Sequence, residues 1–253
     1  MAARAIDGAE LAERLPILAP YEGFALLDEE GGVIRARAAV EALVGALHER
    51  LVHDEVLSVR PTAYDTVEVR AGGRTAEHGR VVVCAGRGTP DLARGAGVEL
   101  PVTESVHVRL AFPLRGEAPA RLACLQDGSA GAYGDALPGN AAFAVGLGES
   151  TPGGLAGMAE RVRAYASETL PGLDTAAPCD IRHCWVTHLP WGHDAIAVWE
   201  LGGLLLLAGN NLFKHAPALG RDLAGAALGA GLPETLRPEA RLGAVPSELP
   251  GFA

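Results

Sequence analysis

Two short runs constrain this chain more than any other feature of it. Val81-Val82-Val83-Cys84 and Leu204-Leu205-Leu206-Leu207-Ala208 are apolar at every position, so as strands they are apolar on both faces. Strands of that kind are stable where helices or a second layer cover both sides, the setting of a parallel sheet in an α/β arrangement. Each run passes at once into a Gly-bearing turn and then into helical spacing. The first leads through Ala85-Gly86-Arg87-Gly88-Thr89-Pro90 to a short helix at 91–96. The second leads through Gly209-Asn210-Asn211-Leu212-Phe213-Lys214-His215-Ala216-Pro217 to a helix expected from about 218 to 228.

The remainder of the chain reads as shorter antiparallel pieces and amphipathic helices. Helices are expected at 8–14, at 37–52, where Val40, Leu43, Val44, Leu47 and Leu51 fall at helical spacing, and at 158–170. A strand is expected at 25–28, followed by a small antiparallel meander of 55–61, 66–70 and 79–84. Four more strands, 106–112, 121–125, 131–134 and 142–146, lie between Gly, Pro and Asn turns. Segments 182–189 and 195–199 flank Pro190-Trp191-Gly192-His193-Asp194 as a hairpin. The fold class expected is α+β: a mixed, largely antiparallel sheet packed by helices, beside a smaller α/β layer built on the two all-apolar strands. No repeat or linker divides the chain into independent halves.

Acids exceed bases by 31 to 21, a net charge of −10, which disfavours nucleic acid and anionic membrane surfaces as partners. No apolar run approaches the ~20 residues that cross a bilayer, and the N-terminus lacks a long apolar segment, so the cytoplasm is the expected location. Cys84, Cys124, Cys179 and Cys184 contain no CxxC pair, so no metal site is expected, and each reads first as a small buried hydrophobe. His183, His188 and His193 lie on a strand and turn whose alternation scatters them. Of the 21 basic residues only Lys214 is a lysine. Chance explains that, and so does a need for a compact ammonium at this position.

On physical grounds 209–217 is the foremost candidate for chemistry. A buried strand delivers a Gly/Asn turn onto a helix start, where free N–H groups and the positive end of the helix dipole converge beside Lys214, a setting for a carboxylate, a phosphate or an electron-rich ring. A solvated cap is the plain alternative. Gly86 and Gly88 imitate the start of a G-x-G-x-x-G, but Asp91 occupies the third position and Pro90 interrupts, so a tight strand-to-helix turn explains them as well. Cys184 beside His183 has the makings of a nucleophile, yet no G-x-S-x-G elbow accompanies it, and a core role explains it equally.

Taken in order, three islands resemble the D-amino-acid-oxidase-like flavoenzymes, and within them the sarcosine oxidase and N-methyltryptophan oxidase branch. They are Gly31-Gly32-Val33-Ile34 with the helix and meander that end at Val82-Val83-Cys84-Ala85-Gly86; Cys184-Trp185-Val186-Thr187 with Pro190 and Asp194; and Ala208-Gly209-Asn210-Asn211-Leu212-Phe213-Lys214 with Pro217 and Gly220. The resemblance implies FAD as cofactor, with Val56, Ala85, Gly86, Gly209, Asn211 and Phe213 near it and Cys184 as a covalent attachment point. It implies Lys214 as the cation for a substrate carboxylate, and places His107 to Phe112 and Tyr133 on the sheet that roofs the substrate. Residues 1–97 and 200–253 would then be a Rossmann-like FAD-binding remnant, and 98–199 a substrate-binding domain.

The departures from the family pattern are as informative. The family's strand–GxGxxG–helix unit has no counterpart before Gly31, and the arginine that partners the lysine lies in that unit. The family's oxygen-activating lysine corresponds to Ala144, in Ala144-Val145-Gly146, and a further histidine to Gly148. The expectation is therefore a flavin-dependent oxidoreductase acting on the C–N bond of a small amine or amino acid, or the C-terminal part of one. The alternative is a truncated, non-redox descendant that binds a small molecule or works without cofactor, or half of a split enzyme completed by a separate Rossmann-unit partner. A late start codon is a third explanation. Uncovered apolar surface would favour a homodimer.

Overall fold

The computed structural model describes residues 3–148 and 154–244. Along them run β1 (Ala3–Ile6), α1 (Gly8–Arg14), β2 (Ala25–Asp28), α2 (Ala36–Leu47), β3 (Val56–Pro61), β4 (Val67–Ala71), β5 (Arg74–His78), β6 (Val81–Val83), α3 (Thr89–Gly95) and β7 (Thr103–Pro113). Then follow β8 (Leu125–Asp127), β9 (Ala132–Ala136), β10 (Ala142–Leu147), α4 (Gly154–Thr169), β11 (Asp180–His188), β12 (Ile196–Leu201), β13 (Leu204–Gly209) and α5 (Leu212–Gly225). The architecture is α+β, and the chain divides into two compact units.

Unit 1 comprises Met1–Ile34 and Val106–Trp185. Its centre is a sheet of order β11-β7-β10-β9-β8, in which β10 is antiparallel to both β7 and β9. Alternation decides which face is covered. Val108, Leu110 and Phe112 of β7, Ala132 of β9, and Phe143, Val145 and Leu147 of β10 pack with Met158, Val162 and Ala166 of α4. Phe112 and Phe143 are fully buried there, each contributing about 1.5–3 kcal/mol by leaving water. The opposite face carries the intervening residues Arg109, Ala111, Tyr133, Asp135, Ala144 and Gly146. At the N-terminus, β1 and β2 pair antiparallel. The Asp7 carboxylate caps α1 by accepting from the Glu10 N–H at 2.8 Å.

Unit 2 comprises Arg35–Ser105 and Val186–Ala253. It contains the antiparallel meander β3-β4-β5 and a second sheet of order β12-β13-β6. In the second sheet β13 runs parallel to β6, with Leu204 opposite Val81 and Leu206 opposite Val83, and antiparallel to β12. Every residue of β13 is buried. Leu204, Leu206 and Ala208 pack with Val59, Val67, Val83 and Ala93 on one face. Leu205 and Leu207 pack with Ile196, Val198, Leu219 and Leu223 on the other. An all-apolar strand thus receives the two-sided cover that its sequence demands.

Several expectations are corrected. The third strand of the meander is β5, whose five residues are all exposed and carry no alternating pattern, whereas Val81–Val83 joins β13 instead. Segments 182–189 and 195–199 do not form a hairpin: β11 lies beside β7 and β12 beside β13, and only an isolated bridge between Leu189 and Gly192 closes the turn. The strand expected at 121–125 begins at Leu125, and β1 was not expected. Helix α5 begins at Leu212, well before 218, so Pro217 lies inside it and Lys214 and His215 are in its first turn and just beyond. No helix among the described residues is long and apolar enough to cross a membrane.

Candidate functional site

Because β6 and β13 are parallel, both release the chain at the same edge of the sheet, Ala85-Gly86 from one strand and Gly209-Asn210-Asn211 from the other. The carboxyl edge of parallel strands is where open sheets of this kind hold ligands. Gly86 has φ +56° and no atom within 4 Å of where a Cβ would stand, leaving open space against its backbone. The Ala85 N–H is held by Thr89 Oγ1 at 3.2 Å. Gly209, at φ +145°, is required by contact as well as conformation: a Cβ there would strike the Ala195 carbonyl and stand 2.9 Å from Ile196 Cα.

Asn211 is left-handed, φ +53°, and is the N-cap of α5, yet its side chain makes no capping bond. It donates instead to Asp194 Oδ1. The first-turn N–H groups of a 14-residue helix are thereby left without a side-chain acceptor, with Lys214 and the half-exposed Phe213 beside them. Burial pushes the Asp194 carboxyl up, but hydrogen bonds from Asn211 and His193 and the charge of Lys214 outweigh it and hold the group below its usual range. Thr187 Oγ1 donates to the buried Gly209 carbonyl at 2.7 Å, and Asn210 Nδ2 donates to the His193 carbonyl at 3.1 Å. Thr187 and Asp194, which the sequence marked only as motif positions, therefore fix the Gly209–Asn211 turn. Val56 is placed elsewhere in this unit, at the start of the meander, beside a register shift between Val56 and Ser58.

The α4-free face of the sheet in unit 1 gathers a second set. Arg109, Gly146 and Tyr133 stand in one row across β7, β10 and β9, and Ala111, Ala144 and Asp135 in the next. The Tyr133 ring lies over Gly146, where a Cβ would come within 2.5 Å of Tyr133 Cζ. Arg109 reaches diagonally across β10 to pair with Asp135, and its Nε–H is buried without a hydrogen-bond partner. Burial, and after it the neighbouring Cys184, push the Tyr133 phenol up, so it keeps its proton at neutral pH and can donate. Cys184 is half-buried on β11, while Cys84, Cys124 and Cys179 are exposed, contrary to expectation, because each lies just outside a strand.

The predicted residues thus fall into two sets, one in each unit. Ala85, Gly86, Gly209, Asn211, Phe213 and Lys214 share the strand edge and helix start of unit 2; Tyr133 and Cys184 are neighbours in unit 1. Sequence reasoning missed Arg109, Asp135 and the role of Gly146. The one available signal was a charge at alternate positions of otherwise apolar strands, as in Val108-Arg109-Leu110. A cavity of about 400 Å³ also opens in unit 2, lined by Ile196, Leu219 and Leu236 with Asp194, His215 and Asp222. Lys214 does not line it.

The model of the DAO family, described as FAD dependent oxidoreductase, matches residues 1–226. No curated protein matches the sequence. Among solved structures, NikD, "an unusual amino acid oxidase essential for nikkomycin biosynthesis", is 18% identical, with 99% of this chain covering 70% of that one at a TM-score of 0.75. Glycine oxidase from Geobacillus kaustophilus is 19% identical, over 98% of this chain and 68% of that one, at a TM-score of 0.76. L-proline dehydrogenase from P. horikoshii is 18% identical, over 92% and 66%, at a TM-score of 0.72. Likeness at such identities is a likeness of fold.

Proposed function

Since the chain belongs to the DAO family of FAD dependent oxidoreductases, we propose that it oxidises a C–N bond of a small amino acid or amine, with FAD as its cofactor. The observation that carries this reading is the shared edge of β6 and β13: open space at Gly86, a glycine-only approach at Gly209, and a left-handed Asn211 whose side chain does not cap α5. That edge suits a large anionic cofactor with an electron-rich ring edge, because the open Gly86 turn and the positive end of the α5 dipole both lie there. FAD, when bound, supplies a two-electron acceptor for the hydride equivalent that leaves the carbon beside the substrate nitrogen.

The chain's own residues bind and orient. Ala85, Gly86 and Gly209 let backbone approach the cofactor, and the α5 N-terminus with Asn211 and Phe213 faces its ring. Val56 supplies a further backbone contact, and Cys184 is the attachment point for a covalent flavin. Lys214 provides the compact positive charge for a substrate carboxylate, and Tyr133, kept protonated, donates a hydrogen bond. From this chain, the Gly86 turn supplies contacts to the pyrophosphate.

The test is anaerobic addition of amino acids and amines to the chain mixed with FAD, followed by loss of flavin absorbance. Bleaching is expected, and Lys214→Met is expected to raise the half-saturating concentration of carboxylate-bearing substrates on the order of tenfold while sparing simple amines. Bleaching by neither class would contradict the oxidase reading and favour a non-redox small-molecule site. Equal behaviour of both classes in Lys214→Met would remove the role given to Lys214.

A further inference from the structure

We propose that the cavity of unit 2 lined by α5, the start of β12 and residues 235–243 is a binding site for a small aliphatic ammonium ion. Asp194 and Asp222 take the charge, and Ile196, Leu219 and Leu236 take the apolar body. The inference goes beyond the oxidase reading above and does not rest on it.

Three observations carry it. First, the lining is graded in polarity. Ile196, Leu219 and Leu236 are buried, whereas the side chains of Asp194 and Asp222 are 62% and 34% exposed, so an apolar base lies under a charged rim. The volume, about 400 Å³, is that of a small-ligand pocket. Second, the rim has acceptors to spare. No lysine or arginine lines the cavity. His193 Nδ1 and Asn211 Nδ2 both reach Asp194 at Oδ1, which leaves Oδ2 to accept from a ligand. The ion pair of Asp222 is with Arg221 Nε at 3.5 Å, and that arginine is four-fifths exposed, a solvent-screened contact of little strength. Third, the wall is held in place without a ligand. The Leu242 carbonyl accepts from the Ile196 N–H at 3.1 Å and from Trp191 Nε1–H at 3.4 Å. Gly243 has φ +83°, and a Cβ there would stand 2.5 Å from the Asp194 carbonyl oxygen, so a glycine lets the chain lie against Asp194. A preformed cavity spares a ligand the entropy of ordering its site.

The rim and the base select together. An ammonium at the rim brings opposite charge to both carboxylates, while its apolar body leaves water against the three buried side chains. A neutral molecule of the same shape keeps only the apolar contact. A carboxylate of that shape faces two like charges and is disfavoured.

The experiment is ligand-detected NMR titration of the full chain with three probes of one shape: cyclohexylamine, cyclohexanol and cyclohexanecarboxylate. It is run at about pH 8, where an alkylammonium keeps its charge. The ammonium is expected to bind on the order of tenfold more tightly than the alcohol, and the carboxylate more weakly than either. Asp222→Asn keeps the shape and removes a charge. It is expected to cut the preference for the ammonium about threefold while leaving the alcohol unchanged. Ala218→Leu fills space on the α5 wall and is expected to weaken ammonium and alcohol alike. Equal binding of the three probes, or an unchanged preference in Asp222→Asn, overturns the inference. So does binding that Ala218→Leu leaves untouched, since the amine then sits elsewhere, as at a substrate site. Should Asp222→Asn fail to fold, added salt must erode the preference for the ammonium and spare the alcohol, and a preference indifferent to salt overturns the inference. The titration needs no flavin. A chain that binds the ammonium here but never FAD sinks the oxidase reading alone; one that binds FAD but treats the probes alike sinks this inference alone.

Discussion

Thr187 Oγ1 and Asp194 Oδ1 hold the two ends of the Gly209–Asn211 turn, beside the backbone bond from the Asn210 N–H to the Ala195 carbonyl at 3.1 Å. The Gly209 carbonyl is buried, and removing its donor leaves an unmet acceptor at a cost of about 1–3 kcal/mol. Thr187→Val, nearly the same shape, is expected to lower stability by that amount, measured as a fall in the denaturant midpoint, and to weaken any ligand that Lys214 holds. An unchanged midpoint would mean that the turn holds its shape without the hydroxyl. Nearby, Ser105 Oγ and His188 Nε2 are 2.7 Å apart. Burial first, and then His193, push His188 below its usual 6.5. A histidine held neutral by the fold adds stability that is full above about 6.5 and is lost as pH falls from there through the lowered folded value. An NMR titration of the His188 ring is expected to give a midpoint under 6.5, with stability declining over the same interval, and a midpoint above 6.5 would contradict the burial argument. None of these contacts was legible in the sequence, where Thr187 stands only as a motif position, His188 as one of three scattered histidines, and Ser105 outside any motif. Their partners lie 22 and 83 positions away. Lys214 was legible because it is unique in composition, and Gly209 because it ends an all-apolar run.

At the scale of elements, legibility followed the source of each element's stability. Helix 8–14 matches α1 residue for residue, since a local cap at Asp7 defines its start, and 142–146 matches β10 to within one residue, since its alternation faces α4. β5 was illegible because it is exposed throughout and owes its place to pairing with β4. The start of α5 was misplaced because Pro217 looks like a boundary, whereas packing of Leu219 and Leu223 carries the helix through it. Helix α2 is the converse case. Its periodicity was plain, yet it has no buried residue, and Val40, Leu43, Val44 and Leu47 are 41–61% exposed. A 12-residue helix is marginal without packing, so this stripe is expected to be covered in solution by another copy of the chain. Sedimentation should show concentration-dependent association that Leu43→Glu weakens. A monomer at every concentration would contradict that expectation.

For the whole molecule, the two all-apolar runs located one layer of the fold, and the islands around them pointed to the family that the match over residues 1–226 shows. What could not be read was the pairing of β7, β10 and β9 that sets Arg109 against Asp135, because register across a sheet is fixed by long-range packing rather than by any local signal. The central claim is that the Gly86 and Gly209 edge of unit 2 holds a flavin. The most direct measurement is the visible absorption spectrum of the purified chain after mixing with FAD and gel filtration, taken before and after acid precipitation. The account predicts flavin absorbance that travels with the protein and stays in the acid pellet if Cys184 is the attachment point. Protein that elutes colourless, and that Gly209→Ala leaves indistinguishable from wild type, would contradict it.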